Sequence, residues 1–322
     1  MNLGQVYTKQ AVADFMVGLF SIAEGAHVLD PCFGRGVFVN SLLENTGFLV
    51  DGVEIDEASY SAFGNPDESR CRLTNGDFFD VEGTFDGIIM NPPYVRQEEL
   101  DKLAPLGVTK QKLQSACGLM TISTKANLYM YFILRAILLL REGGELIAIF
   151  PNSWTNTPVG RQFYEQMSLH GCITDFINVE GEAFEGSPMV DVCILKYVKG
   201  MRRFRSIGVR TKYSKLIIKE DNSLSIEKDE YWRIAKELCD DLDNNLRYVA
   251  LRLKEIQQEY HLTLEELDDL CWEDSTAMFD EIYSGPNNDI YEKFCHRMKD
   301  GEEAAYTSPR EYERLYNKSA FN

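Results

Sequence analysis

Asn91-Pro92-Pro93-Tyr94 directly follows the apolar run Phe85-Asp86-Gly87-Ile88-Ile89-Met90. The two prolines fix φ near −65° and remove two backbone N–H donors, so the turn they make is rich in carbonyl acceptors. An exocyclic amine conjugated to a ring or a carbonyl is a poor nucleophile, because its lone pair is delocalised. Accepting its two hydrogens, through the Asn91 side-chain oxygen and the Pro92 carbonyl, favours the pyramidal geometry that attack requires. Tyr94 offers a flat ring on which the amine-bearing plane can stack. The tetrapeptide therefore reads as a rigid holder for a planar amine at the end of a short strand.

Three further acids stand at the ends of earlier apolar runs. Asp30 closes His27-Val28-Leu29-Asp30 and opens Asp30-Pro31-Cys32-Phe33-Gly34-Arg35-Gly36, a glycine turn ahead of a helix. Such a strand-to-helix junction lets a ligand approach the backbone. Val39 stands where a dinucleotide fingerprint has its third glycine, so no pyrophosphate cradle is completed. The leading acid points instead to a cationic ligand such as S-adenosylmethionine. Glu54 with Ile55 ends the next strand, at the spacing where such folds bind ribose hydroxyls. Asp77 and Phe78 follow the third strand, placed to meet the amine and the face of an adenine. Each acid alone is an ordinary surface residue; three at successive strand ends form a constellation.

These residues need a sheet to align them. Strands are expected at 27–30, 49–55, 71–73, 85–90, 145–150, 173–179 and 190–198, alternating with helices, of which 128–141 is the most apolar and ends at Gly143-Gly144. The fold class is α/β, a doubly wound sheet of seven strands with the last antiparallel. The expected domains are a catalytic domain over 1–200, a basic connecting segment over 201–225, and an acidic, mainly helical region over 226–322.

The net charge is −18, yet Lys196 to Lys219 holds nine Lys or Arg and no acid. That strip is either a polyanion contact or the solvated edge of a hairpin. The longest apolar stretch, around Tyr129 to Leu140, is too short to span a bilayer. The eight cysteines form no Cys-x-x-Cys pair and no metal-ligand cluster, which favours a reduced, cytoplasmic protein without a metal.

Taken in order, these motifs make the chain resemble the S-adenosylmethionine-dependent DNA adenine N6-methyltransferases of type II restriction-modification systems, in the class whose methionine-binding motif comes first. Gly4-Gln5-Val6-Tyr7-Thr8 is similar to that opening motif, although Lys9 replaces a proline common there. Asn127-Leu128-Tyr129, Phe150-Pro151-Asn152-Ser153-Trp154 and Gly181-Glu182-Ala183-Phe184 are similar to later ones. The resemblance covers residues 1 to about 200. It implies that S-adenosylmethionine is held by Tyr7, Thr8, Asp30, Pro31, Cys32, Gly34, Gly36, Glu54, Ile55, Asp77, Phe78 and Asn91. It also implies that an adenine flipped out of DNA stacks between Tyr94 and Phe184. Its N6 would attack the methyl group directly, with no covalent enzyme intermediate.

The resemblance implies a role in restriction-modification or phage defence. DNA contact is expected at Lys199, Arg202, Arg203, Arg205 and Lys212, with Arg210 and Lys215 in the same strip and Arg96, Lys102, Lys110 and Lys112 in a second loop. Acidic helices would be repelled by phosphates. A second subunit or another copy is therefore expected to complete target recognition. Methylation of RNA adenine or of a protein glutamine, and a non-catalytic scaffold subunit, are the competing readings; the Gly-x-x-Tyr-Thr segment favours DNA.

Overall fold

The structure, a computed structural model, describes residues 6–186, 191–200, 211–238, 246–259 and 261–273. The chain divides into two compact units, Met1–Ser153 with Gln162–Lys228, and Trp154–Arg161 with Asp229–Asn322.

The first unit is built on one sheet. Its strands are β1 (His27–Asp30), β2 (Leu49–Glu54), β3 (Cys71–Asn75), β4 (Phe85–Met90), β5 (Leu140–Pro151), β6 (Gly171–Glu180), β7 (Val192–Lys199), β8 (Lys212–Ile218) and β9 (Leu224–Lys228). They lie in the order β3-β2-β1-β4-β5-β7-β6-β8-β9. β3, β2, β1, β4 and β5 are mutually parallel, and β7 runs antiparallel to both β5 and β6. The seven expected strands are all present with the seventh reversed, but the sheet has nine. β8 joins β6 in parallel and β9 folds back antiparallel on β8. The strip read as a connecting segment thus supplies sheet edge from Lys212 onward, because Leu216 and Ile218 are buried among its lysines.

Apolar periodicity explains the layers. Helices α1 (Gln10–Val17) and α2 (Val37–Asn45) turn Val12, Ala13, Met16, Phe38, Val39 and Leu42 onto a core shared with Val28, Ile89, Ile147 and Ile194 of the sheet. Two short helices follow, α3 (Glu57–Phe63) and α4 (Lys110–Ala116), and a 3₁₀ segment, Gln97–Leu106, precedes the second. Helix α5 (Leu128–Leu139) is apolar nearly all round and is buried at Leu128, Tyr129, Met130, Tyr131, Phe132, Ile133, Leu134, Ala136, Ile137 and Leu139. No described helix is long and apolar enough to cross a membrane.

Gly143-Gly144 does not cap α5. The helix stops at Leu139 and β5 begins at once; the pairing with β4 then shifts register, from Phe85 opposite Leu140 to Gly87 opposite Glu145. Gly143 takes φ of 78°, and a Cβ on Gly144 would lie 2.9 Å from the Arg141 carbonyl, so the glycines form the bulge that restores register. Helix α6 (Pro158–His170) precedes β6.

In the second unit, α7 (Glu230–Leu238), α8 (Leu246–Glu259) and α9 (Leu264–Glu273) are described. Val249, Leu253, Ile256 and Leu267 are buried there, and Arg233 bridges Glu230 and Asp268.

Candidate active site

The carboxyl ends of β1, β2, β3 and β4 open on one cleft of about 290 Å³. Ligands bind α/β sheets at this end of the strands. Its walls include Tyr7, Thr8, Pro31, Cys32, Gly34, Glu54, Ile55, Asp77, Phe78, Asn91 and Pro93. Most of the residues picked from sequence therefore converge, although they come from five separate stretches of chain.

The glycine loop is shaped from below. Gly34 and Gly36 both take left-handed φ, 55° and 79°, and a Cβ on Gly36 would strike the Phe63 ring at 2.0 Å. Glu54 ties this loop to β2: one carboxylate oxygen accepts from Gly34 N–H and the other from Asp56 N–H, each at 2.8 Å. Burial raises the Glu54 pKa, and these backbone bonds oppose the rise.

Asp30 and Gly36 do not form part of the wall. Asp30 is fully buried beneath the loop. One oxygen accepts from Cys32 N–H at 3.3 Å and the other has no partner. Burial pushes this carboxyl up to about 8, the Cys32 bond opposing and nearby Glu54 adding to it. Asp30 thus supports the loop from within, where the sequence suggested direct ligand contact. Gly36 likewise acts through its backbone.

Asn91 is anchored through its donors. Its Nδ2 donates to the Val6 carbonyl at 2.8 Å and to the Thr8 hydroxyl at 3.0 Å, while its Oδ1 is buried with no hydrogen-bond partner. The Cys32 thiol donates to the Asn91 carbonyl at 3.4 Å. An amide with both donors engaged and its acceptor open is set to receive a donor.

The opening segment also reaches Phe184. Thr8 and Phe184 form an antiparallel bridge, Lys9 N–H donates to the Ala183 carbonyl at 3.0 Å, and Glu185 N–H donates to the Tyr7 carbonyl at 2.8 Å. Phe184 meets Tyr94 edge to face, with ring centroids 5.9 Å apart and planes at 75°. The rings are together, but not as a parallel slot; an aromatic guest between them requires one to turn. The Tyr94 hydroxyl donates to the Ile149 carbonyl at 3.3 Å, and burial drives its pKa well above the ordinary value. Pro92 is buried beside it.

Residues 49–184 match the family described as Eco57I restriction-modification methylase. The type II methyltransferase M.HincII of Haemophilus influenzae is 29% identical over 234 residues, 72% of this chain and 44% of that protein. The type II methyltransferase M.TthHB8I of Thermus thermophilus is 36% identical over 160 residues, 48% of this chain and 36% of that protein. These matches make the chain similar to restriction-modification methyltransferases. The chain spans less than half the length of those curated relatives. A Listeria monocytogenes protein assigned to the class I S-adenosylmethionine-dependent methyltransferases shares its fold, with a TM-score of 0.50 at 14% identity, covering 62% of each chain.

The basic residues of the chain fare differently from its cleft residues. Lys199 is not available to a phosphate: its Nζ donates to the carbonyls of Leu138 and Leu140, at 3.1 and 2.6 Å, where α5 runs into β5. Burial lowers its pKa, opposed by nearby Glu142. Lys215 pairs with Glu180 at 3.5 Å. Lys102 pairs with Glu99 and Lys110 with Asp101. Lys212 is exposed at the start of β8, and Arg202, Arg203, Arg205 and Arg210 lie outside the described residues, as do Gly4 and Gln5.

Lys112, expected in a loop that meets DNA, is engaged within the protein. Its Nζ lies 2.7 Å from carboxylate oxygens of both Asp77 and Asp80. That clamps the segment carrying Leu103, Leu106 and Val108, all in the cleft wall, onto the end of β3. Asp77 is thereby oriented, its other oxygen accepting from Phe79 N–H at 3.0 Å. No signal in the linear sequence hinted at this, because the acids lie more than thirty residues upstream.

Proposed function

We propose that this chain is an S-adenosylmethionine-dependent DNA adenine N6-methyltransferase of a restriction-modification or phage-defence system. The observation that carries the reading is Asn91, whose Nδ2 is held by Val6 and Thr8 and whose Oδ1 stands buried and unpartnered beside the cleft. A buried acceptor without a donor costs stability, and such a cost is retained where a ligand supplies the donor.

The residues fit the cofactor by the chemistry they offer. Glu54 presents acceptors for ribose hydroxyls and Asp77 an acceptor for the adenine amine. Phe78 and Phe132 supply apolar wall, and Tyr7, Thr8 and Gly34 the far end. S-adenosylmethionine supplies an electrophilic methyl group when bound. The protein supplies position. Asn91 Oδ1 and the Pro92 carbonyl accept the two N6 hydrogens, localising the nitrogen lone pair, while Tyr94 and Phe184 part to hold the adenine plane. Acceptors fixed before the reaction need no reorganisation during it, so electrostatics and orientation supply most of the rate. The proton lost from the methylated nitrogen passes to water, and no histidine lines the cleft.

DNA is the partner this reading requires, with recognition completed by a second subunit or another copy. The engagement of Lys199, Lys215 and Lys112 within the protein supports that division of labour, since little of the described basic surface is left for phosphate. Incubation with methyl-labelled cofactor and DNA, RNA or a glutamine-bearing release factor tests it. Label is expected in DNA as N6-methyladenine, and transfer to RNA or protein alone would refute the assignment.

A further inference from the structure

Among the described residues that line the cleft, Arg35 carries the one cationic side chain; Glu54, Asp77 and Glu185 are all acids. It stands between the left-handed glycines of the loop, its guanidinium carbon 3.8 Å from the centroid of the Tyr7 ring. A face-on aromatic contact of this kind holds a guanidinium in plane and leaves its edge free to donate. That edge meets Glu185 at 3.5 Å, a pair in which both side chains are largely exposed, at 65% and 58%. Exposed pairs of this length add little to stability. Nothing in the fold depends on Arg35 keeping that partner.

We infer that Arg35 recognises the carboxylate of the cofactor's amino-acid arm, exchanging the Glu185 carboxylate for it. The inference rests on the cofactor reading above. The reactive sulfonium must lie against Asn91, where the accepting amine is held, and the ribose toward Glu54. The amino-acid arm leaves the sulfonium on the side away from the ribose. On that side the wall is Tyr7, Thr8, Arg35 and Glu185, since Asn91 itself is bonded to Val6 and Thr8. A carboxylate entering a cleft that holds three other acids needs a cation, and a planar guanidinium can donate to both its oxygens at once. Glu185 serves as a stand-in carboxylate until the ligand arrives. It keeps Arg35 aimed over Tyr7, and its own backbone is fixed by the Tyr7 carbonyl.

Calorimetric titration with two ligands tests this without any turnover. S-adenosylhomocysteine carries the amino-acid carboxylate, and 5′-methylthioadenosine has the same adenosine and sulfur without it. In R35Q the affinity for S-adenosylhomocysteine is expected to fall about tenfold or more, with the affinity for methylthioadenosine unchanged. R35K, which keeps the charge and loses the fork, is expected to fall between wild type and R35Q. Equal weakening of both ligands in R35Q, or weakening of neither, overturns the assignment of Arg35 alone. A wild-type chain that binds neither ligand overturns the cofactor reading and this inference with it.

Discussion

The two halves of the sheet treat their polar residues in opposite ways. Along β1 to β4, Glu54 and Asp77 are bonded within the fold, but other polar groups at and just after the strand ends are left incomplete. Asn91 Oδ1 and one Asp30 oxygen are buried without partners, and Arg35 rests on a weak exposed pair. Along β5 to β8, buried or half-buried charges are fully engaged. Lys196 meets Glu145 at 3.0 Å, the Leu19 carbonyl and the Ser21 hydroxyl at 2.7 Å each, Lys199 meets two carbonyls, and Lys215 meets Glu180. The contrast separates polar groups that the fold satisfies from polar groups that it leaves open. A residue type cannot make that distinction; the count of its satisfied hydrogen bonds can.

Four perturbations probe the contrast, the largest first. Asp30 keeps its proton in the folded state up to about 8, whereas its ordinary value is 3.8. Between those values the folded state binds the extra proton, so stability falls as pH rises from about 4 to about 8. The full contribution is on the order of 5 kcal/mol. Denaturant midpoints taken across that range should drop in the wild type, and D30N should flatten the slope; an unchanged slope would remove Asp30 from the list of strained groups. On the opposite half, Lys196→Ala leaves Glu145 buried without its cation and should cost about 4 kcal/mol in urea unfolding. A loss below about 1 kcal/mol would erase the distinction between the halves.

At the site itself, N91A removes the open acceptor. Methyl transfer should fall by roughly two to three orders of magnitude while cofactor-analogue affinity, read by titration, stays nearly constant. Retained turnover would show that the unpartnered oxygen has no role. The smallest effect is expected from T8V, which removes one of the two acceptors holding the Asn91 Nδ2. Turnover should fall by about tenfold with little change in cofactor KM, and T8S should restore it. A KM rise with kcat intact would place Thr8 on the cofactor instead.

Much of the cleft was legible because strand ends announce themselves: an apolar run, then an acid, a glycine pair or the Asn91-Pro92-Pro93-Tyr94 turn. What the linear pattern could not show was which polar atoms had already been used. Asp30 looked like a ligand contact because its position at a strand end does not show that the fold buries it completely. Lys199 and Lys112 looked like free cations because their acceptors lie about sixty and thirty-five residues away in sequence. β8 and β9 were missed for a related reason. Their lysines mask a short apolar face at Leu216 and Ile218 that becomes visible only when β6 provides a partner strand. Roof residues Leu103, Leu106 and Val108 carry no motif at all.

The bridge between Thr8 and Phe184 has a consequence for how the protein is made. It stitches the first described residues to a loop that the ribosome reaches only after β6. A nascent chain halted at the end of β5 already has the strand ends of β1 to β4, but it lacks the partner that pins Val6 and Thr8 and, through them, Asn91. Because closing so long a loop carries an entropic cost that local pairing does not, the amide should acquire its working orientation among the last events of folding. Until then, the growing chain has a cleft floor without the anchored Asn91 amide.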